Sequence, residues 1–120
     1  MWTEPLIPVA KGMYPDRMQV ALVGIETHIC ISQTARDLVR AGHQVYVLAD
    51  GVSSINREES KIALARLRHE GVIVTTSEAW LFEAVGDAKA HEFKEISKLV
   101  REWKEKTSGA LKVLCGDGGE

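Results

Sequence analysis

The stretch Val20-Ala21-Leu22-Val23-Gly24-Ile25-Glu26-Thr27-His28-Ile29-Cys30 decides how this chain is read. Four apolar residues in a row, with no charge and no proline, fit a parallel strand covered on both faces. A glycine then breaks the run, and a helical pattern begins around Ile29, so a strand end meets a helix start with a cysteine at the junction. In open α/β sheets, ligands sit beyond the carboxyl ends of the strands, where helix N-termini offer N–H groups that favour an anion. Cys30 is therefore the candidate nucleophile. Its bland alternative is a small buried hydrophobe, which is what most free cysteines are.

Outward from that junction the chain alternates strand and helix. Ile31, Ala35, Leu38 and Val39 form one helical face, and Gly42 stops it. Gln44–Ala49 repeats the buried-strand signature and turns at Asp50-Gly51. Asn56 with Glu59 resembles a capping box opening a helix through Ile62, Ala63, Ala65 and Leu67 to Gly71. Val72-Ile73-Val74 is a third short strand, and Thr75 with Glu78 is set to cap a brief helix bearing Trp80, Leu81 and Phe82. From His91 to Lys106, Phe93, Ile96, Leu99, Val100 and Trp103 form an apolar stripe among lysines and glutamates, a covering or interface helix. The expected organisation is an irregular segment over 1–18, an α/β unit over 19–106, and a flexible Gly-rich tail over 107–120.

The composition suits one globular domain: 120 residues, 45% apolar and 27% charged. A formal net charge of −2 with no basic stripe argues against nucleic acid as a partner. Cys30 and Cys115 are far apart and suggest no disulfide framework, which favours a reducing, cytoplasmic setting. Met1–Lys11, with Pro5 and Pro8, reads as neither a signal peptide nor a membrane span. His28 and Cys30 lack the further ligands of a metal motif, the tail lacks the flanks of a phosphate loop, and no C-x-x-C is present for thiol redox chemistry. No cofactor or metal is expected. Asp50, Ser53 and Ser54 read as turn residues at the rim. The aromatics Trp80, Phe82, Phe93 and Trp103 read as core or interface.

The string GIETHICISQTARDLVRAGHQVYVLADGVSS, followed by NREESKIALARLRHEG and VTTSEAWLFEAVGDA, resembles the isochorismatase-like cysteine hydrolases, over residues 19 to 103. Its motif is G-x-x-T-x-x-C-x-x-x-T-A-x-D: Gly24, Thr27, Cys30, Thr34, Ala35 and Asp37. The resemblance implies a doubly wound, Rossmann-like parallel sheet with helices on both faces and an Asp-Lys-Cys triad acting on small amide- or ester-type substrates. Cys30 matches the nucleophile, and Lys11, in Pro8-Val9-Ala10-Lys11, resembles the lysine's context, although Gly12-Met13-Tyr14 replaces the aromatic-serine segment that usually follows. It also implies a cis peptide between Ile25 and Glu26 and an oxyanion site built from the backbone N–H groups of Glu26 and Cys30; the position of Glu26 in the turn favours a backbone donor with its side chain towards solvent or a partner over an acid/base substitute. No Asp-bearing strand is recognisable before Val20, so the chain resembles the C-terminal part of the family's domain, with impaired catalysis. Val20–Val23 carries none of the devices that blunt an exposed edge, which raises the alternative of a non-catalytic module completing its sheet with another chain as a homo-oligomer.

Overall fold

The computed structural model describes residues 17–86 and 91–116. Three strands, β1 (Gln19–Ile25), β2 (Gln44–Ser53) and β3 (Ile73–Thr75), form one parallel sheet in the order β1-β2-β3. Between β1 and β2 come a π-helical turn (Thr27–Ile31) and α1 (Ser32–Arg40); between β2 and β3 comes α2 (Arg57–His69). After β3 follow α3 (Ser77–Val85), α4 (His91–Glu102) and α5 (Lys104–Cys115).

Alternation along β2 assigns the two faces. Val45, Val47 and Val52 pack with Ile31, Ala35 and Leu38 from the first helical run, Leu64 and Leu67 of α2, and Val72, with Val20 and Leu22 of β1 at the margin. Tyr46, displaced by one residue, faces the other way, where its ring meets Trp80 of α3 edge-on at 6.5 Å. Its hydroxyl donates to Glu83 at 2.6 Å. That bond to a carboxylate, with the loss of solvent, holds the Tyr46 phenol above its usual pKa. Both α3 and α5 lie against β2, so helices cover both faces of the sheet, as the α/β expectation required.

Several local expectations are revised. The helix after β1 begins at Thr27, and its first turn is widened to the π form, with Ile31 N–H bonding the Glu26 carbonyl at 3.2 Å. At Asn56 the capping bond comes from the backbone: Glu59 N–H donates to the Asn56 carbonyl at 3.0 Å, and the side chain makes no cap bond. Thr76, one residue later than expected, caps α3 by accepting from Ala79 N–H at 3.2 Å. The helix expected to run from His91 to Lys106 breaks at Trp103.

The largest revision concerns the expected tail over 107–120, of which 117–120 lie outside the described residues. Lys104–Cys115 is helical, not a flexible tail. Thr107, Ala110, Leu111 and Leu114 are half-buried at helical spacing, so the segment carries an apolar stripe that lies against β2. Gly109 and Gly116 obscured it. Gly109 is accommodated within the helix, and Gly116 is its C-cap.

Candidate active site

Two glycines shape the carboxyl end of β1. Gly24, with φ of 133°, occupies backbone space that other residues rarely adopt, and the register with β2 shifts there: Leu22 pairs with Val47 but Gly24 pairs with Val52. The extra residues of β2 bring Gly51 against Val23, where a Cβ would stand 2.6 Å from the valine's Cγ1. A cis peptide joins Ile25 to Glu26, at the position the resemblance implies.

Beyond it the π-helical turn is held from inside. Thr27 is completely buried. Its carbonyl accepts from Ser32 Oγ at 2.6 Å, and its hydroxyl oxygen accepts from Ser60 Oγ of α2 at 3.0 Å. All three side chains are buried, so each polar group has a partner where water is excluded. Reading the sequence missed Ser32 and Ser60. Ser60 was legible in principle, because it continues the inward stripe of Ala63, Leu64 and Leu67 and so places a hydroxyl on an apolar face.

Cys30 lies half-buried on this turn. The N–H groups flanking its own in the chain, those of Ile29 and Ile31, both bond the Glu26 carbonyl, at 3.1 and 3.2 Å. The Glu26 side chain does not run to solvent: its carboxylate accepts the Ile55 N–H, at 3.3 Å on Oε1 and 3.1 Å on Oε2. His28 Nδ1 lies 3.0 Å from Ser54 Oγ and 3.8 Å from Glu26, and His28 Nε2 lies 4.0 Å from Glu59. The turn carrying Cys30 is thus clamped to the loop after β2 through two side chains. This gives Ser54 a definite role, while Ser53 pairs with Ile25 in the sheet.

Other candidates fall outside the site or become structural. Lys11 lies outside the described residues. Asp50 accepts from Ser77 through both carboxylate oxygens, from the N–H at 2.8 Å and from the hydroxyl, which ties the end of β2 to the first turn of α3. At Cys115, desolvation pushes the thiol pKa up and the Asp50 charge adds to the effect, which disfavours its thiolate. Among the described residues, no cluster of His, Cys, Asp or Glu is arranged to hold a metal, and no helix is long and apolar enough to cross a membrane. A groove of about 860 Å³ between α3, α4 and α5 is lined by Leu81, Leu99, Trp103, Leu111 and Cys115. No residue of the π-helical turn lines it.

The described residues thus form a parallel α/β sheet with a cysteine on a helical turn at the end of a strand. The isochorismatase domain model matches residues 14–79, and the chain belongs to that family. Relatives include the bovine (Bos taurus) isochorismatase domain-containing protein 2, 47% identical over 98 residues that cover 82% of this chain and 48% of the relative. The secreted isochorismatase effector Isc1 of Phytophthora sojae is 44% identical and is covered to 42%, against 73% of this chain. Among solved structures, the MAR1 ribonuclease from Caenorhabditis elegans superposes with a TM-score of 0.73 at 37% identity, covering 84% of this chain and 50% of the other. The chain spans about half the length, or less, of the relatives it matches.

Proposed function

We propose that this chain is a cysteine hydrolase for small amide- or ester-type substrates, with Cys30 as its nucleophile and a slow turnover. The observation that carries this reading is the placement of Cys30: half-buried, at the end of β1, on a turn pinned through Thr27 to Ser32 and Ser60. In the proposed reaction the Cys30 Sγ attacks the carbonyl carbon, the amine or alcohol leaves with a proton, and water releases the acid from the thioester. Backbone N–H groups of Glu26 and Cys30 serve the oxyanion. Lys11 is the proposed cationic partner by its position in the family's pattern. Turnover is slow because, among the described residues, no carboxylate is hydrogen-bonded to the thiol to act as general acid and base.

The structural neighbour from Caenorhabditis elegans is named a ribonuclease. A net charge of −2 with no basic stripe favours a small neutral substrate over RNA for this chain. The two free cysteines fit a reducing, cytoplasmic setting. Hydrolysis of p-nitrophenyl acetate by the full chain tests the chemistry. We expect slow release of nitrophenolate, acetylation of Cys30 in the mass spectrum, loss of both in Cys30→Ala and retention of both in Cys115→Ala. Hydrolysis that persists in Cys30→Ala, or a chain in which Cys30 is never acetylated, overturns the assignment.

A further inference from the structure

The turn that carries Cys30 is held at three points by one segment of chain, residues 54–60, which leads from β2 into α2. Thr27 supplies the inner point, through its buried contact with Ser60. The side chains on either side of Thr27 supply the other two. The Glu26 carboxylate accepts the Ile55 N–H, at 3.3 and 3.1 Å on its two oxygens, and the His28 ring meets Ser54 Oγ at 3.0 Å. His28 Nδ1 also stands 3.8 Å from Glu26 Oε2, so imidazole and carboxylate lie side by side against the same loop. A single pin at Thr27 would leave the turn free to rock about it; the outer pair removes that freedom. Glu26 is the residue where both sets of bonds meet. Its carbonyl accepts the N–H groups of Ile29 and Ile31, at 3.1 and 3.2 Å, and so shapes the turn, while its carboxylate ties that turn to the loop. Rotating the backbone at Glu26 therefore breaks a bond on one side or the other.

We propose that the Glu26 side chain is a positioning residue for the oxyanion site, its bond to the Ile55 N–H fixing the direction of the Glu26 and Cys30 N–H groups relative to the thiol. The inference rests on the cysteine-hydrolase reading above and adds to it a task for a side chain that takes no part in bond making. Backbone donors serve an oxyanion only when they are held in place before the charge develops. The loop after β2 provides that hold. Two reactions of the same sulfur separate positioning from mere exposure of the thiol. When Sγ attacks the carbonyl carbon of an ester, the carbonyl oxygen becomes an oxyanion before the alcohol leaves, and the donors are needed. When Sγ displaces iodide from the saturated carbon of iodoacetamide, an S–C bond forms as the C–I bond breaks, iodide leaves with the electron pair, and no oxyanion arises. Both reactions draw on the same thiolate, so changes in access or acidity cancel in the ratio of their rates.

Mass spectrometry of the full chain carrying Cys115→Ala follows both modifications of Cys30, with p-nitrophenyl acetate as the acyl probe and iodoacetamide as the alkyl probe. Glu26→Ala should lower the ratio of acetylation to alkylation roughly tenfold. Glu26→Gln, whose amide oxygen can still accept the Ile55 N–H, should recover most of that loss. Ile55→Pro removes the same bond from the loop side, without altering the turn, and should lower the ratio as Glu26→Ala does; it carries the test if circular dichroism shows Glu26→Ala unfolded. In the chain with Glu26 and Ile55 intact, the Ile55 amide should be protected from hydrogen exchange. Acetylation and alkylation that slow in step, a Glu26→Gln variant no better than Glu26→Ala, or an Ile55 amide that exchanges freely each overturn the positioning role and leave Cys30 as the nucleophile. A chain that is alkylated but never acetylated at Cys30 overturns the hydrolase reading, and this inference with it.

Discussion

Thr27 is the residue on which the candidate site turns, although it has no place in the proposed chemistry. It is fully buried, and its hydroxyl and carbonyl receive bonds from Ser60 and Ser32. Thr27→Val keeps the shape but leaves the Ser60 hydroxyl without its acceptor in a water-free place, at a cost of about 1–3 kcal/mol. Urea unfolding should show a lower midpoint for Thr27→Val, and Ser60→Ala in the same chain should recover part of the loss, because both partners are then apolar. Additive losses in the double variant would show that the two side chains do not act as a pair. Of these residues, Thr27 and Cys30 are visible in the motif. The Glu26 carboxylate is the instructive failure: its residue number said only that it lies in the turn, while its partner, the Ile55 N–H, is brought to it by the return of β2.

At the scale of elements, glycines argue in opposite directions. Gly24 ends β1 with φ of 133°, so Gly24→Ala forces a β-carbon into a disfavoured region and should destabilise by about 1–3 kcal/mol. Gly109 sits inside α5 with nothing within 4 Å of an added Cβ. Gly109→Ala should therefore stabilise by about 0.4–1 kcal/mol, chiefly by narrowing the unfolded ensemble. Chemical denaturation of the two variants beside the unmodified chain reads both shifts, and a neutral or harmful Gly109→Ala would count against a helix at 104–115. The same residue explains why α5 was missed. A glycine within a short stretch lowers local helix propensity, and the stripe of Thr107, Ala110, Leu111 and Leu114 gains its worth only against β2. For α1 and α2 the apolar repeat was strong enough to read without that help. For the helix expected over 91–106, the break at Trp103 depends on packing that periodicity does not report.

For the whole molecule, one ion pair ties the two core helices. Arg36 of α1 donates from Nε to Glu70, just past the end of α2, at 2.8 Å. That bond, chiefly, holds the Glu70 carboxyl below its ordinary pKa of 4.5, with its partial desolvation opposing the shift. Because the folded value is the lower one, the pair stabilises the fold fully above pH 4.5, and the contribution disappears as pH falls through the folded value. Arg36→Gln should therefore be less stable than the unmodified chain near neutral pH, and the gap should close in acid. Both groups are partly exposed, so added salt should narrow the gap as well. Thermal unfolding of both chains across this range checks the sign; a gap that is constant with pH would mean that Glu70 contributes through packing alone.

The strand-and-helix alternation, the buried-strand signature of β1 and β2, the cysteine at the strand end and its motif were all present in local sequence, because apolar periodicity and turn residues act over a few positions. The cis peptide at Ile25–Glu26 was legible only through the family motif. Tertiary structure alone decided where the polar side chains go: Asp50 to Ser77, Glu26 to Ile55, Ser60 to Thr27 and Tyr46 to Glu83. It also decided that α5 covers β2 and that, among the described residues, the strand order is β1-β2-β3. Those partners are 27 to 37 positions apart. Their meeting follows from the parallel crossovers that set strand order and register, which no local pattern encodes.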